Sequence, residues 1–252
     1  AQQLAARARG LLDELRSVST APGFDPATLS TTITIAANDM QRDLLLPPLF
    51  RYLRARAPGL KLRVISSGIP GAEMLRDETC QMIVTPRPPE GSDILQKRLF
   101  EDHYRVFYDA RERAAPADVA QYLAAEHVTV LYEPHRRLDI DEVLANAGLK
   151  RRFAVQVPGF AGIGPFLAGT PFLATLPSLT RVHMLRGFAS APAPVPCPAM
   201  PMYLVWHLRH QADALHRWLR EQLEIVVAPA LAAVSEIDQP SPGASVPAVA
   251  RR

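Results

Sequence analysis

The chain has 252 residues, of which 48% are hydrophobic and 21% charged, with a formal net charge of +3. This composition suits a globular protein with a sizeable core, arranged as one large domain or two small ones. No apolar run reaches the roughly 18 residues of a membrane span, and two distant cysteines, Cys80 and Cys197, do not make a disulfide framework. Both are expected to be buried free thiols. The basic charge is almost all arginine, the lysines being Lys61, Lys97 and Lys150. No basic stripe interleaves with aromatics and no helix-turn-helix pattern is present, which argues against direct DNA reading by these residues. The first residues lack the apolar core of a signal peptide, so a cytoplasmic location is expected.

Residues 1–19 place Leu4, Leu11, Leu12, Leu15 and Val18 at helical spacing. No neighbouring element read from these residues covers this stripe, so it is expected to be a self-association helix. "STAPGFDPATLS" (19–30) reads as a linker. In "TTITIAAND" (31–39) Ile33, Ile35 and Ala37 alternate with threonine or alanine, the period of a strand. Residues 40–59 predict a helix stopped by Pro58-Gly59, with Pro47 and Pro48 better suited to an early turn than to its middle. A strand at 60–68, a short helix at 69–79 and a strand at 81–86 follow. Strand, helix, strand, helix, strand is the order of a parallel sheet with crossover helices.

Residues 94–110 are long for one strand, and Glu101-Asp102 predict a turn inside them. Helices at 116–127 and 140–149 alternate with strands at 128–133 and 151–160. A helix start at 161–170 and a strand at 171–177 complete a second α/β unit. A late strand (201–207) and an amphipathic helix (209–227) carrying Leu215, Trp218, Leu219 and Leu223 close the ordered pattern. The Pro-, Ser- and Ala-rich residues 228–252 read as disordered.

In open α/β sheets ligands sit beyond the carboxyl ends of the parallel strands. Those ends are Asn38-Asp39-Met40, Ser66-Ser67-Gly68, Thr85-Pro86, Gly159-Phe160 and Pro177-Ser178. Asn38 and the N–H groups behind it could hold a carboxylate or serve only as a helix N-cap. Asp39 would itself repel an anion. Ser66 and Ser67 offer hydroxyls or a plain turn. Phe160, Ala161 and Ile163 could wall a pocket or fill the core. The N–H groups of the Pro177-Ser178 turn are expected at the rim of the same cleft. His207, His210 and His216 have no cysteine or paired carboxylate to complete a metal site. No G-x-S-x-G elbow and no complete dinucleotide fingerprint occurs, so neither catalysis nor a cofactor is expected.

"TTITIAANDMQRDLLLPPLFRYLRARAPGLKLRVISSG", "AGIGPFLAGTPFLATLPSL" and "YLVWHLRHQADALHRWLREQL", in this order and spacing, resemble the effector-binding domain of LysR-type transcriptional regulators. The last is similar to the ending of the branch that includes nodulation and nitroaromatic/salicylate-responsive regulators. "LAARARGLLDEL" resembles the end of that family's linker helix. The likeness spans roughly residues 1–227. It implies an α/β fold like type 2 periplasmic binding proteins: two Rossmann-like subdomains joined by two crossover segments and preceded by a helix. Residues 31–107 and 201–227 would form subdomain I and 108–200 subdomain II, after a linker helix (1–19) and linker (20–30). It further implies a small-molecule effector in the cleft, an aromatic carboxylate on the branch resemblance, and a homodimer or tetramer. DNA would be read only through a winged helix-turn-helix ahead of residue 1. Gln81, where many relatives are acidic, and "ARERAAP" (110–116) depart from the family's usual pattern. A solute-binding protein of a transport system is the alternative reading, and a small α/β enzyme the third.

Overall fold

The computed structural model describes residues 24–132 and 137–237. The expected helix over 1–19 lies outside them. Subdomain I is a five-stranded sheet in the order β2-β1-β3-β10-β4. Its strands are β1 (Thr32–Ala37), β2 (Lys61–Ile65), β3 (Met82–Thr85), β4 (Ile94–Asp102) and β10 (Met200–His207). β1 runs parallel to β2 and β3, and β10 antiparallel to β3 and β4.

Two helices, α1 (Asp39–Arg54) and α6 (Ala214–Ile237), join the larger apolar core through Leu45, Leu49, Leu219 and Leu223. α2 (Glu73–Arg76) contributes Leu75 to a smaller cluster with Ala36, Ile83 and Val205. Alternate residues of β1 therefore serve two layers, Ile33 and Ile35 in one and Ala36 in the other.

Subdomain II repeats the plan. β5 (Tyr104–Tyr108) pairs antiparallel with β8 (Ala174–Pro177) and β9 (Ala189–Pro192). β6 (Glu126–Val130) pairs parallel with β7 (Arg152–Val157). A parallel bridge between His127 and Leu173 joins the two pieces, with Val128 N–H to Leu173 C=O at 2.8 Å. The spatial order becomes β7-β6-β8-β5-β9, the same as in subdomain I. Short helices connect it: α3 (Val119–Ala124), α4 (Asp139–Asn146) and α5 (Ile163–Leu167), the last preceded by a 3₁₀ turn at Phe160–Gly162.

The chain crosses between sheets at His103 and again over 193–199, and the fourth strand of each sheet, β10 or β5, is the one that follows a crossover. The turn expected at Glu101-Asp102 is this first crossover. Asp102 is buried there, accepting hydrogen bonds from Ser178 Oγ, from Leu179 N–H at 3.2 Å and from His103 N–H at 2.7 Å.

Several expectations are corrected. Pro47 and Pro48 lie in the middle of α1. Each costs roughly 3 kcal/mol in a helix interior, but Leu44, Leu45, Leu46, Leu49 and Leu53 are all buried around them. At about 1.5–3 kcal/mol per buried large side chain, packing wins. The last helix does not stop at 227 but continues through Pro229 to Ile237. Val226 and Val227 are buried in the core, and the apolar packing carries the helix onward. β9, "ASAP", was not expected; it has no hydrophobic alternation and is recruited by the edge of β5. Cys80 is buried, but Cys197 is exposed because it lies in the proline-flanked second crossover.

Candidate ligand cleft

The carboxyl ends of β1, β2 and β3 face those of β6 and β7 and the end of β8. Asn38 is the first residue to fix their geometry. It stands at the N-cap position of α1 but makes no cap bond. Its side chain instead clamps Gly68, accepting from the Gly68 N–H at 3.0 Å and donating to its carbonyl at 3.0 Å. Gly68 has φ +51, a conformation that favours glycine. The amide clamp therefore ties the end of β1 to the loop after β2. Ser66 Oγ adds a bond to Asn38 Oδ1 at 3.3 Å. The Met40 N–H, one of the groups expected to be available to a ligand's carboxylate, is taken by Asp39's own carboxylate at 3.2 Å.

Asp39 also reaches across the cleft. Its Oδ2 accepts the Ala161 N–H at 2.8 Å and so caps the 160–162 turn of the opposite subdomain. Gly159 makes this approach possible, since a Cβ there would stand 2.8 Å from the same oxygen. Asp39, expected among the ligand-site residues of this strand end although its charge would repel an anion, is thus a tie between subdomains.

Two chambers result, separated by a wall to which Asn38 and Tyr132 both contribute. The inner chamber encloses about 70 Å³. Met40, Thr85, Pro86, Phe160 and Pro177, all expected at the site, line it. The outer hollow, about 390 Å³, is lined by Asp39, Ser66 and Ala161. Ser67 and Ile163 line neither: both are buried, Ile163 within the core of subdomain II. The lining is narrower than the sequence pattern suggests: Ser66 is exposed and Ser67 buried.

The Pro177-Ser178 turn also differs from expectation. Pro177 lines the inner chamber, but the N–H groups behind it are occupied. Ser178 N–H donates to the His103 carbonyl at 2.8 Å, and Leu179 N–H to Asp102. Burial pushes the Asp102 carboxyl up, opposed by the Ser178 hydroxyl. This rim locks the crossover rather than offering donors to a ligand, and Ser178 is buried with its hydroxyl committed.

The inner lining is mostly apolar, as ligand pockets are. Tyr132 packs edge-on against Phe160 with ring centroids 6.5 Å apart, and burial raises the Tyr132 and Tyr104 hydroxyls above their ordinary pKa. Gln41, Ile69, Leu138 and Met200 fill out the walls. Three charged side chains also line the chamber: Arg87, Arg137 and Asp139. Arg87 bonds Asp139 across the cleft, Nε to Oδ2 at 2.8 Å, with Nη2 also paired to Oδ1.

Sequence reasoning missed these three and Tyr132. Arg87 lies only two residues beyond Thr85, and Tyr132 follows a parallel strand whose end was not considered. Position at a strand end was the signal available for both.

Outside the cleft, His207 bonds Asp93 at 3.1 Å and His210 stacks on His216 at 3.9 Å. Among the described residues no cluster of His, Cys, Asp and Glu could hold a metal, and no helix is long and apolar enough to cross a membrane.

Residues 26–227 match the family described as the LysR substrate binding domain. The chain is 28% identical over 213 residues to the HTH-type transcriptional activator NagR of a Ralstonia species, covering 81% of this chain and 70% of that one. It is 26% identical to the HTH-type transcriptional activator NahR of Pseudomonas putida, covering 79% and 68%. Among solved structures, the regulatory domain of MexT, a transcriptional activator of Pseudomonas aeruginosa, superposes with a TM-score of 0.69 at 25% identity, covering 79% of this chain and all of that one. The reduced OxyR regulatory domain of Pseudomonas aeruginosa, at 18% identity and a TM-score of 0.60, shares the fold and covers 79% of this chain and 97% of that one. The chain belongs to the LysR family of transcriptional regulators and carries the effector-binding domain of that family, built as two α/β subdomains around a cleft.

Proposed function

We propose that the inner chamber is the effector site and that a small organic molecule with an apolar body, an aromatic carboxylate for preference, is what the regulator senses. The observation that carries this reading is the chamber itself. Subdomain I contributes Met40, Thr85 and Pro86, subdomain II contributes Tyr132 and Phe160, and guanidinium groups stand beside apolar walls. The aromatic acid follows from the branch that the closing motif resembles. A ligand touching both subdomains acts by binding one relative arrangement more tightly than another.

The regulator works as a non-enzymatic sensor in the cytoplasm, as a dimer or tetramer, and meets DNA through a winged helix-turn-helix preceding residue 1. The resemblance of residues 1–19 to the family's linker helix supports that order. Transport is disfavoured by the family to which the chain belongs.

The test is a thermal-shift screen of small organic acids and neutral aromatics. A compound that raises the melting temperature should bind several-fold more weakly to Phe160→Ala and Tyr132→Ala, and equally well to His210→Ala. Unchanged binding by both cleft variants would place the site elsewhere.

A further inference from the structure

We propose that Arg87 is the anchor for the effector's carboxylate, and that Asp139 is the chain's own carboxylate seated on that anchor while the cleft is shut. This rests on the reading that the inner chamber is the effector site.

Arg87 leaves subdomain I two residues after β3, its N–H held by Thr85 Oγ1 at 3.1 Å. Asp139 opens α4 in subdomain II. The guanidinium presents Nε and Nη2 to the two oxygens of one carboxylate. Glu142 is the other acidic group beside it, 4.0 Å from Nη2. A planar guanidinium fork recognises a carboxylate by geometry, whichever molecule carries it. The pair is about two-thirds buried on both sides and forms part of the chamber wall. The anchor is therefore prepared for an anion and already holds one.

Volume links the pair to the ligand. The chamber encloses about 70 Å³, whereas a dry cavity that takes a benzene ring measures about 150 Å³. An aromatic acid cannot enter beside the intact pair. If its carboxylate replaces that of Asp139, the same exchange makes room for the ring against Tyr132 and Phe160. It also breaks a bond between the subdomains. Ligand capture and release of α4 from Arg87 are then one event, and this supplies the differential affinity that sensing needs. Arg137, on the same lining, adds positive charge for the incoming anion. A second tie across the cleft, Asp39 to the Ala161 N–H, pairs a carboxylate with a backbone amide in the outer hollow, where the guanidinium of Arg42 is held by its neighbour Asp43 on the same subdomain.

Calorimetric titration of the 252-residue chain with benzoate, phenylacetate and 2-hydroxybenzoate, and with their neutral amides, tests the exchange. The wild type should bind at least one acid and bind its amide about tenfold or more weakly, the cost of losing a charge-assisted pair. Asp139→Asn should bind the acid several-fold more tightly, because the competitor is gone; a misfolded variant cannot mimic that gain. Arg87→Gln should lose about tenfold or more, with Arg87→Lys between the two. If Arg87→Gln binds the acid as the wild type does while Phe160→Ala loses it, the cleft stands and the anchor is overturned. If neither variant changes acid binding, the cleft reading itself fails. Acid binding by neither the wild type nor Asp139→Asn would also overturn the exchange.

Discussion

The two subdomains share one strand order but fill their interiors with different chemistry. Subdomain I packs leucines of α1 and α6 against β1, β3 and β10. It also buries polar side chains such as Gln41 and Arg220, but among the described residues none of its ion pairs is buried on both sides. Subdomain II buries a charged pair. Arg151, whose side chain is 0% exposed, donates to Asp141 from Nε at 3.0 Å and from Nη2 at 2.6 Å. Nearby, Tyr122 and Thr175 share a 2.7 Å hydroxyl contact, and His127 Nε2 donates to the Tyr122 carbonyl at 2.9 Å. Arg151 Nη1, Asp141 Oδ2 and His127 Nδ1 have no hydrogen-bond partner among the described residues.

The difference teaches that a common topology does not prescribe a common source of stability. Helices of sixteen residues or more lay an apolar stripe on the first sheet. In the second they have eight residues or fewer, and polar side chains hold what the helices do not.

The contrast should be plainest when one charge is deleted. Asp141→Ala leaves the Arg151 guanidinium buried and unpaired, and should cost about 3–5 kcal/mol in urea unfolding. The double replacement Arg151→Met with Asp141→Leu should recover stability to within about 1 kcal/mol of the wild type, or exceed it. Subdomain I should respond to volume instead. Leu45→Ala, at a fully buried position of α1, should cost about 3 kcal/mol by the same measurement.

Acid provides a third contrast. Burial, the largest cause, and then Arg151 hold His127 at a pKa of about 3. Burial and the stacked His210 hold His216 at about 4. Both folded values lie below the ordinary 6.5, so the neutral rings contribute fully above pH 6.5. As pH falls from there towards 4 and then 3, the unfolded chain takes up protons that the folded chain refuses, and stability drops. The expected loss between pH 6.5 and 4 is about 3 kcal/mol for each ring. His127→Gln should flatten the part of that slope that belongs to subdomain II. The smallest effect is expected at the cleft. Gly159→Ala pushes Asp39 away from Ala161, should cost about 1 kcal/mol, and should speed hydrogen exchange at the Ala161 amide.

These features were unequally legible in the sequence. Alternation in β1 and the apolar stripe of α6 mark their elements directly. The periodicity of α1 was also visible, but its two prolines pointed to a break that buried leucines overrule. β9 has no periodic signal, because an edge strand can be recruited by its neighbour's backbone alone. At the site, strand ends located Asn38, Thr85 and Phe160. They could not show that Asn38 would turn from its helix to clamp Gly68. Nor could they show that Asp39 would cap a turn 122 residues away, or that Arg87 would meet Asp139 across 52 residues. Pairings of this kind follow from the docking of two sheets, which no local pattern encodes.

The account turns on a ligand held by both subdomains at once, and amide NMR titration with the aromatic acids and their amides tests this most directly. The account predicts that the largest shifts appear together at Gly68 and Arg87 in subdomain I and at Phe160 and Ala161 in subdomain II. Shifts confined to one subdomain, or centred outside the two chambers, would contradict it.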